Sequence, residues 1–150
     1  MYTLVLLLHS WIRWIAIVAG FGATLAAANA GRSANSRAER WGLVLMMALD
    51  IQLLLGLLLY LVLSPVIARA RENFGEAMRN SQLRFWAVEH IGAMLIAVSL
   101  AHAAHVAARK ANTPESKRAW RVVCFGIATF LMLFGTPWPG SSSGRPLFRF

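Results

Sequence analysis

The chain is poor in the residues that most soluble chemistry draws on. It has one cysteine among its 150 residues, Cys124, set inside an apolar run. A single thiol excludes an internal disulfide and any CxxC motif for metal binding, dithiol redox chemistry or covalent haem attachment. It reads as a small apolar residue. Acidic side chains are also few, six against fifteen basic ones, for a formal net charge of +9. No nucleophile–base triad, phosphate-binding loop or dinucleotide-binding turn occurs, which argues against a hydrolase or a nucleotide-dependent enzyme. No internal sequence repeat is visible either.

What the chain does have is apolar length. Apolar residues make up 58% of it, with a mean hydropathy of +0.56, and they fall in four long runs. Such runs are spans and not the core of a soluble domain. The fold expected is all-α: one integral membrane four-helix bundle running up-down-up-down over residues 1–139, with helices at about 2–28, 41–64, 83–108 and 118–137. An extramembrane tail, 140–150, comes after it and is expected to be mobile or to dock on a partner.

The first run ends in Ala26-Ala27-Ala28-Asn29-Ala30, which has the small residues of a signal-peptide cleavage site. No basic segment precedes it, however, and Arg13 interrupts it, so a retained helix is the reading. Ala19, Ala23 and Ala27 recur every four positions, as do Ala93, Ala97 and Ala101 in the third run, giving faces that neighbouring helices can approach closely. The second run contains Asp50 and Gln52 and stops at Ser64-Pro65, because proline lacks the amide hydrogen a helix needs. Between residues 66 and 82, Ile67, Ala70, Phe74 and Ala77 have helical spacing with charges interleaved. A short amphipathic helix on the membrane surface is predicted there, weakened by Gly75. Thr113-Pro114-Glu115 starts the fourth helix and Pro137-Trp138-Pro139 ends it.

Charge sets the orientation. The first and third connections carry Arg32, Arg37, Arg40, Arg109, Lys110, Lys117, Arg118 and Arg121. Basic loops beside spans belong in the cytoplasm and attract anionic lipid, so this charge is not a nucleic-acid surface. The expected location is the bacterial inner membrane, crossed several times, with both termini and the 66–82 loop on the periplasmic side.

Three of the four histidines lie in the third run, with Glu89 beside the first. Ionisable residues within spans are costly and mark cofactors or pathways. His9 and His90 fall at matched depth on two parallel helices, which suits two axial ligands of one haem b; the competing reading is two interfacial, hydrogen-bonded histidines. Arg13, one turn from His9, is a counter-charge for a propionate or for Glu89. His102 and His105 are three apart on one helix and cannot grip one iron from opposite faces. Asp50 lies at their depth, so an Asp50–His102 or Asp50–His105 contact is expected, as a structural pair, a proton-handling pair or part of a metal site. The tryptophans read as an interfacial belt.

Several segments together are similar to a known family. LHSWIRW at 8–14, DIQLLLGLLLYLVLSP at 50–65, MRNSQLRFWAVEH at 78–90, His105 and the closing PWP at 137–139 resemble small four-helix membrane proteins common in Bacteroidota and related bacteria, usually labelled cytochrome b-like. The resemblance implies a haem-b redox role in the membrane, with His9, His90 and His105 as matching ligand candidates; His102 is outside the motif. The leading expectation is therefore an electron-transfer protein with one bis-histidine haem near the periplasmic side, exchanging electrons with quinone or a larger redox complex, and not a stand-alone enzyme. The alternative is a cofactor-free accessory subunit of a respiratory or photosynthetic complex. A metal or proton carrier using Asp50, His102 and His105 ranks third, since broken helices and inverted repeats are missing.

Overall fold

The computed structural model describes residues 1–30 and 35–148; Arg32, one of the loop charges that set the orientation, lies outside them. Among the described residues the chain is helical without strands. The elements are α1 (Tyr2–Ala28), α2 (Asn35–Leu58), α3 (Pro65–Glu72), α4 (Phe74–Arg79), α5 (Ser81–Arg84), α6 (His90–Lys110) and α7 (Pro114–Phe134). A π-helical turn, Leu59–Leu63, extends α2, and a second, Phe85–Glu89, joins α5 to α6. Three stretches, Tyr2–Ala28, Ser36–Leu63 and Ser81–Lys110, are long and apolar enough to cross a membrane. Helix α7 has 21 residues, but Lys117, Arg118 and Arg121 occupy its early turns and shorten its apolar part.

Helix α1 packs on α2 and α7, and α6 packs on α7 and α2. The four long helices thus form a ring in which α1 and α6 are diagonal. The alanine faces are what close it. Ala19, Ala23 and Ala27 of α1 are buried, as are Ala93, Ala97, Ala101, Ala104 and Ala108 of α6. Where two apolar helices share an apolar surrounding, close packing of small residues replaces water exclusion as the source of association. Gly20 shows how close this is, since a Cβ there would stand 2.5 Å from Thr129 Oγ1 of α7.

The two proline-terminated ends are resolved in different ways. Pro65 cannot donate to Leu61, and in the π turn Ser64 N bonds Leu59 O at 2.8 Å in place of Tyr60 O. The carbonyls of Tyr60 and Leu61 are left over, and Arg71 of α3 takes both, at 2.8 and 3.2 Å. At the end of α7, Pro137 cannot donate to Leu133 O, which accepts instead from Thr136 N at 3.2 Å and from Trp138 Nε1 at 2.8 Å. Gly135, where a Cβ would meet Met94 Cε at 2.5 Å, leaves its own carbonyl pointing at α6.

The 66–82 segment and the tail add detail to the expected fold. The 66–82 segment carries the short helices α3 and α4 and the start of α5 where one helix was expected, because Asn73 (φ −142, ψ 86) and Asn80 (φ −92, ψ 113) leave helical geometry and their side chains cap the helices that follow. The described part of the tail, residues 140–148, has contacts with its own chain. It turns at Gly140 (φ 92), closes with Arg145 N on Pro137 O at 3.1 Å, and lies back on α1 of its own chain.

Candidate functional site

At the end of the ring that carries both termini, α1, the end of α2, the start of α6 and the end of α7 surround a cavity. Its empty space, mouth included, is about 1220 Å³. His9 and His90 project into it from the diagonal helices, with ring centres 6.3 Å apart and planes at 71°. Two parallel helices that do not pack on each other can meet only through side chains along the ring's axis, and these two imidazoles do so.

Each ring is held by its neighbours. His90 Nδ1 lies 2.7 Å from Gly135 O, the carbonyl released at the end of α7. Only an N–H can make that bond, so it selects the Nδ1–H tautomer and leaves Nε2 as the nitrogen available to a ligand. Phe85 and Trp86 flank the same ring, their centres 5.8 and 5.5 Å away. His9 lies over Gly56 of α2, whose missing side chain makes the room: a Cβ there would be 3.3 Å from His9 Cε1. Its Nδ1 is buried without a hydrogen bond of good geometry, although the backbone of Gln52 lies close enough to attract it.

The floor and mouth of the cavity add polar groups. Gln52 Oε1 and Trp86 Nε1 are buried with no hydrogen-bond partner. A polar atom left so costs about 1–3 kcal/mol. Arg13 and Arg145 line the cavity. Arg13 Nη2 donates to Leu147 O at 2.8 Å and Trp14 Nε1 to the same carbonyl at 3.2 Å, while Phe148 stacks on Trp14 with centres 5.4 Å apart. Arg145 lies over the Trp86 ring at 5.0 Å, so the tail lines one side of the cavity.

Of the residues singled out in the sequence, His9, His90 and Arg13 meet here. Glu89 does not: it pairs with Arg84 at 2.6 Å on the surface, so the expected Arg13–Glu89 contact is absent. It lies one residue before His90, about 100° round the helix, and therefore faces away when His90 faces in. Asp50 and His102 form a separate site, Oδ1 to Nε2 at 2.9 Å, and His105 stands outside that pair. Among the described residues no group of three or more His, Cys, Asp and Glu side chains is placed around one point.

Three residues of the cavity escape a reading of the sequence. Gly56 does carry a signal, a lone glycine inside a leucine run, where close approach of another group is the usual reason. Trp86 reads as one of an interfacial belt, yet it forms a cavity wall. Arg145 carries no signal, because its place depends on how the tail returns. No protein-family model, curated protein or solved structure matches this chain.

Proposed function

We propose that the chain is a four-helix bundle of the bacterial inner membrane, both termini periplasmic, that holds one haem b between His9 and His90 and passes single electrons. The facing of these two histidines across the ring's diagonal, inside the cavity between the four helices, is the observation that carries the reading. A metal bonded at about 2 Å to one nitrogen of each ring sets the ring centres roughly 6–6.5 Å apart, and the distance here is 6.3 Å. An edge-to-face ring pair spans the same range, and what singles out an occupant is the polar lining of the space around the rings. The empty space between four helices and the buried polar atoms around it favour an occupant.

The residues present fit such a group. His9 and His90 would hold the iron, and the Gly135 carbonyl, which orients the His90 ring, would raise its basicity as a ligand. Arg13 and Arg145 supply positive charge at the mouth, where the two carboxylates of a haem need partners. Phe85, Trp86 and the aliphatic walls exclude water, which with ligand type sets the potential. Bound haem supplies a one-electron iron couple; the protein supplies position and polarity. Quinone or a larger redox complex in the same membrane is the electron partner. The basic residues Arg37, Arg40, Arg109 and Lys110 at the opposite end of the ring support a cytoplasmic assignment for that end.

A reduced-minus-oxidised spectrum of the purified protein is the test. A b-type band is expected, lost in His9→Ala and in His90→Ala and retained in His102→Ala and His105→Ala. A wild-type protein without the band, or a band surviving the double substitution of His9 and His90, sinks the reading. Colourless protein recovered as a stoichiometric member of a larger complex would favour the accessory-subunit alternative.

A further inference from the structure

A second feature lies away from the cavity, on the outer surface where α2 meets α6. Asp50 Oδ1 and His102 Nε2 meet there at 2.9 Å, and both side chains remain 49% exposed. Asp50 comes ten residues after Arg40 and His102 seven before Arg109, which puts the pair about 10–15 Å along the helices from the basic end. The helix faces that carry it are apolar and exposed one turn away, at Met47 and Leu54 beside Asp50 and at Val106 beside His102. On the membrane reading proposed for the chain, on which this inference rests, a half-uncovered acid–base pair stands in hydrocarbon. Such groups face protein or water, because lipid chains offer neither donor nor acceptor. The α2–α6 seam is also the most sparsely packed of the ring's four.

We propose that a second copy of this chain covers the seam, related to the first by a two-fold axis, with the Asp50–His102 pairs of the two copies facing each other. The pair is self-complementary in the way a two-fold axis requires. Its internal bond uses Asp50 Oδ1 and His102 Nε2, leaving Asp50 Oδ2 and His102 Nδ1 for a partner. A two-fold axis sets Asp50 of each copy against His102 of the other. The remaining oxygen of each pair then stands against the remaining nitrogen of the other. An unrelated helix would need its own acid and base at the same depth, whereas a second copy carries both. The outward line Ser99, Ala103 and Ala107 beside His102 is small enough for two α6 helices to approach closely.

Full-length protein in lipid bilayers, with single cysteines on a Cys124→Ala background, tests this. Ser99→Cys is expected to form an intermolecular disulfide under mild oxidation, giving a species of twice the 16.5 kDa chain mass. Val18→Cys and Phe130→Cys, exposed on α1 and α7, are expected to stay monomeric. Asp50→Asn and His102→Ala are each expected to weaken self-association roughly tenfold by energy transfer between labelled copies. Helix content by circular dichroism identifies any variant that fails to fold, and the other then carries the test. No disulfide at Ser99→Cys, equal cross-linking at all three positions, joining of Ser99→Cys to a different polypeptide, or unchanged association in both folded variants overturns the proposal. None of these outcomes touches the haem reading, whose spectrum is measured separately.

Discussion

A Cβ added at Gly56 would stand 3.3 Å from His9 Cε1, tighter than carbon atoms normally approach, so the imidazole occupies the space a side chain would fill. Gly56→Leu is therefore expected to push His9 off the ring's axis and abolish the b-type band while leaving helix content intact by circular dichroism. Gly56→Ala needs a shift of only a few tenths of an ångström and should keep the band. Gly20 makes the opposite kind of prediction. A Cβ there meets Thr129 Oγ1 at 2.5 Å and Met132 Cε at 2.9 Å, so Gly20→Val should destabilise the α1–α7 contact by about 1–3 kcal/mol in denaturant titration, without touching the cavity. At this scale the sequence is informative about His9 and His90, whose depths come from counting along two helices. It is uninformative about Arg145, because no local pattern predicts where a chain returns after a helix. Gln52 is intermediate: a polar residue in an apolar run is visible, but the direction it faces depends on a helix rotation that the sequence does not encode locally.

At the scale of elements, the π turns at Leu59–Leu63 and Phe85–Glu89 sit beside each other next to the cavity. Tyr60 OH of the first donates to Ala87 O of the second at 2.9 Å. A π turn accommodates one extra residue and rotates the helix beyond it, and such turns are concentrated near functional sites. Tyr60→Phe removes the tie and should lower stability by about 1 kcal/mol, with faster amide exchange in residues 85–91 as its local signature. Neither π turn is legible in the sequence, because periodicity reasoning assumes 3.6 residues per turn. The start of α2 at Asn35 is missed for a related reason. Hydropathy locates the apolar part of a helix, and here a polar turn and a half of helix precedes it. The stop at Pro65 and the break after Phe134 are readable, because proline acts on the backbone regardless of context.

For the whole molecule, the tail is the part whose removal the chain should feel at a distance. Deleting residues 141–150 removes the Leu147 carbonyl that Arg13 and Trp14 share and takes Arg145 off Trp86. The shortened protein should fold, since the ring is closed by its alanine faces, but its cavity should open. Quenching of tryptophan fluorescence by a small neutral quencher should rise, and haem, if bound, should dissociate measurably faster. Unchanged quenching would show that the tail does not close the mouth.

The diagonal placement of the two histidines has a mechanical corollary. His9 belongs to the hairpin α1–α2 and His90 to the hairpin α6–α7, and only residues 65–89 connect the two covalently. Anything that bonds both imidazoles is thus a rivet between halves. Cutting the chain in its 66–82 segment yields two hairpin fragments whose reassembly is driven in part by that rivet, and occupancy should raise the halves' association as a ligand raises any folded state's share. The protein is in this sense two clasped hairpins joined by the α1–α7 and α2–α6 seams, and a group bonded to both imidazoles would add one more tie between them.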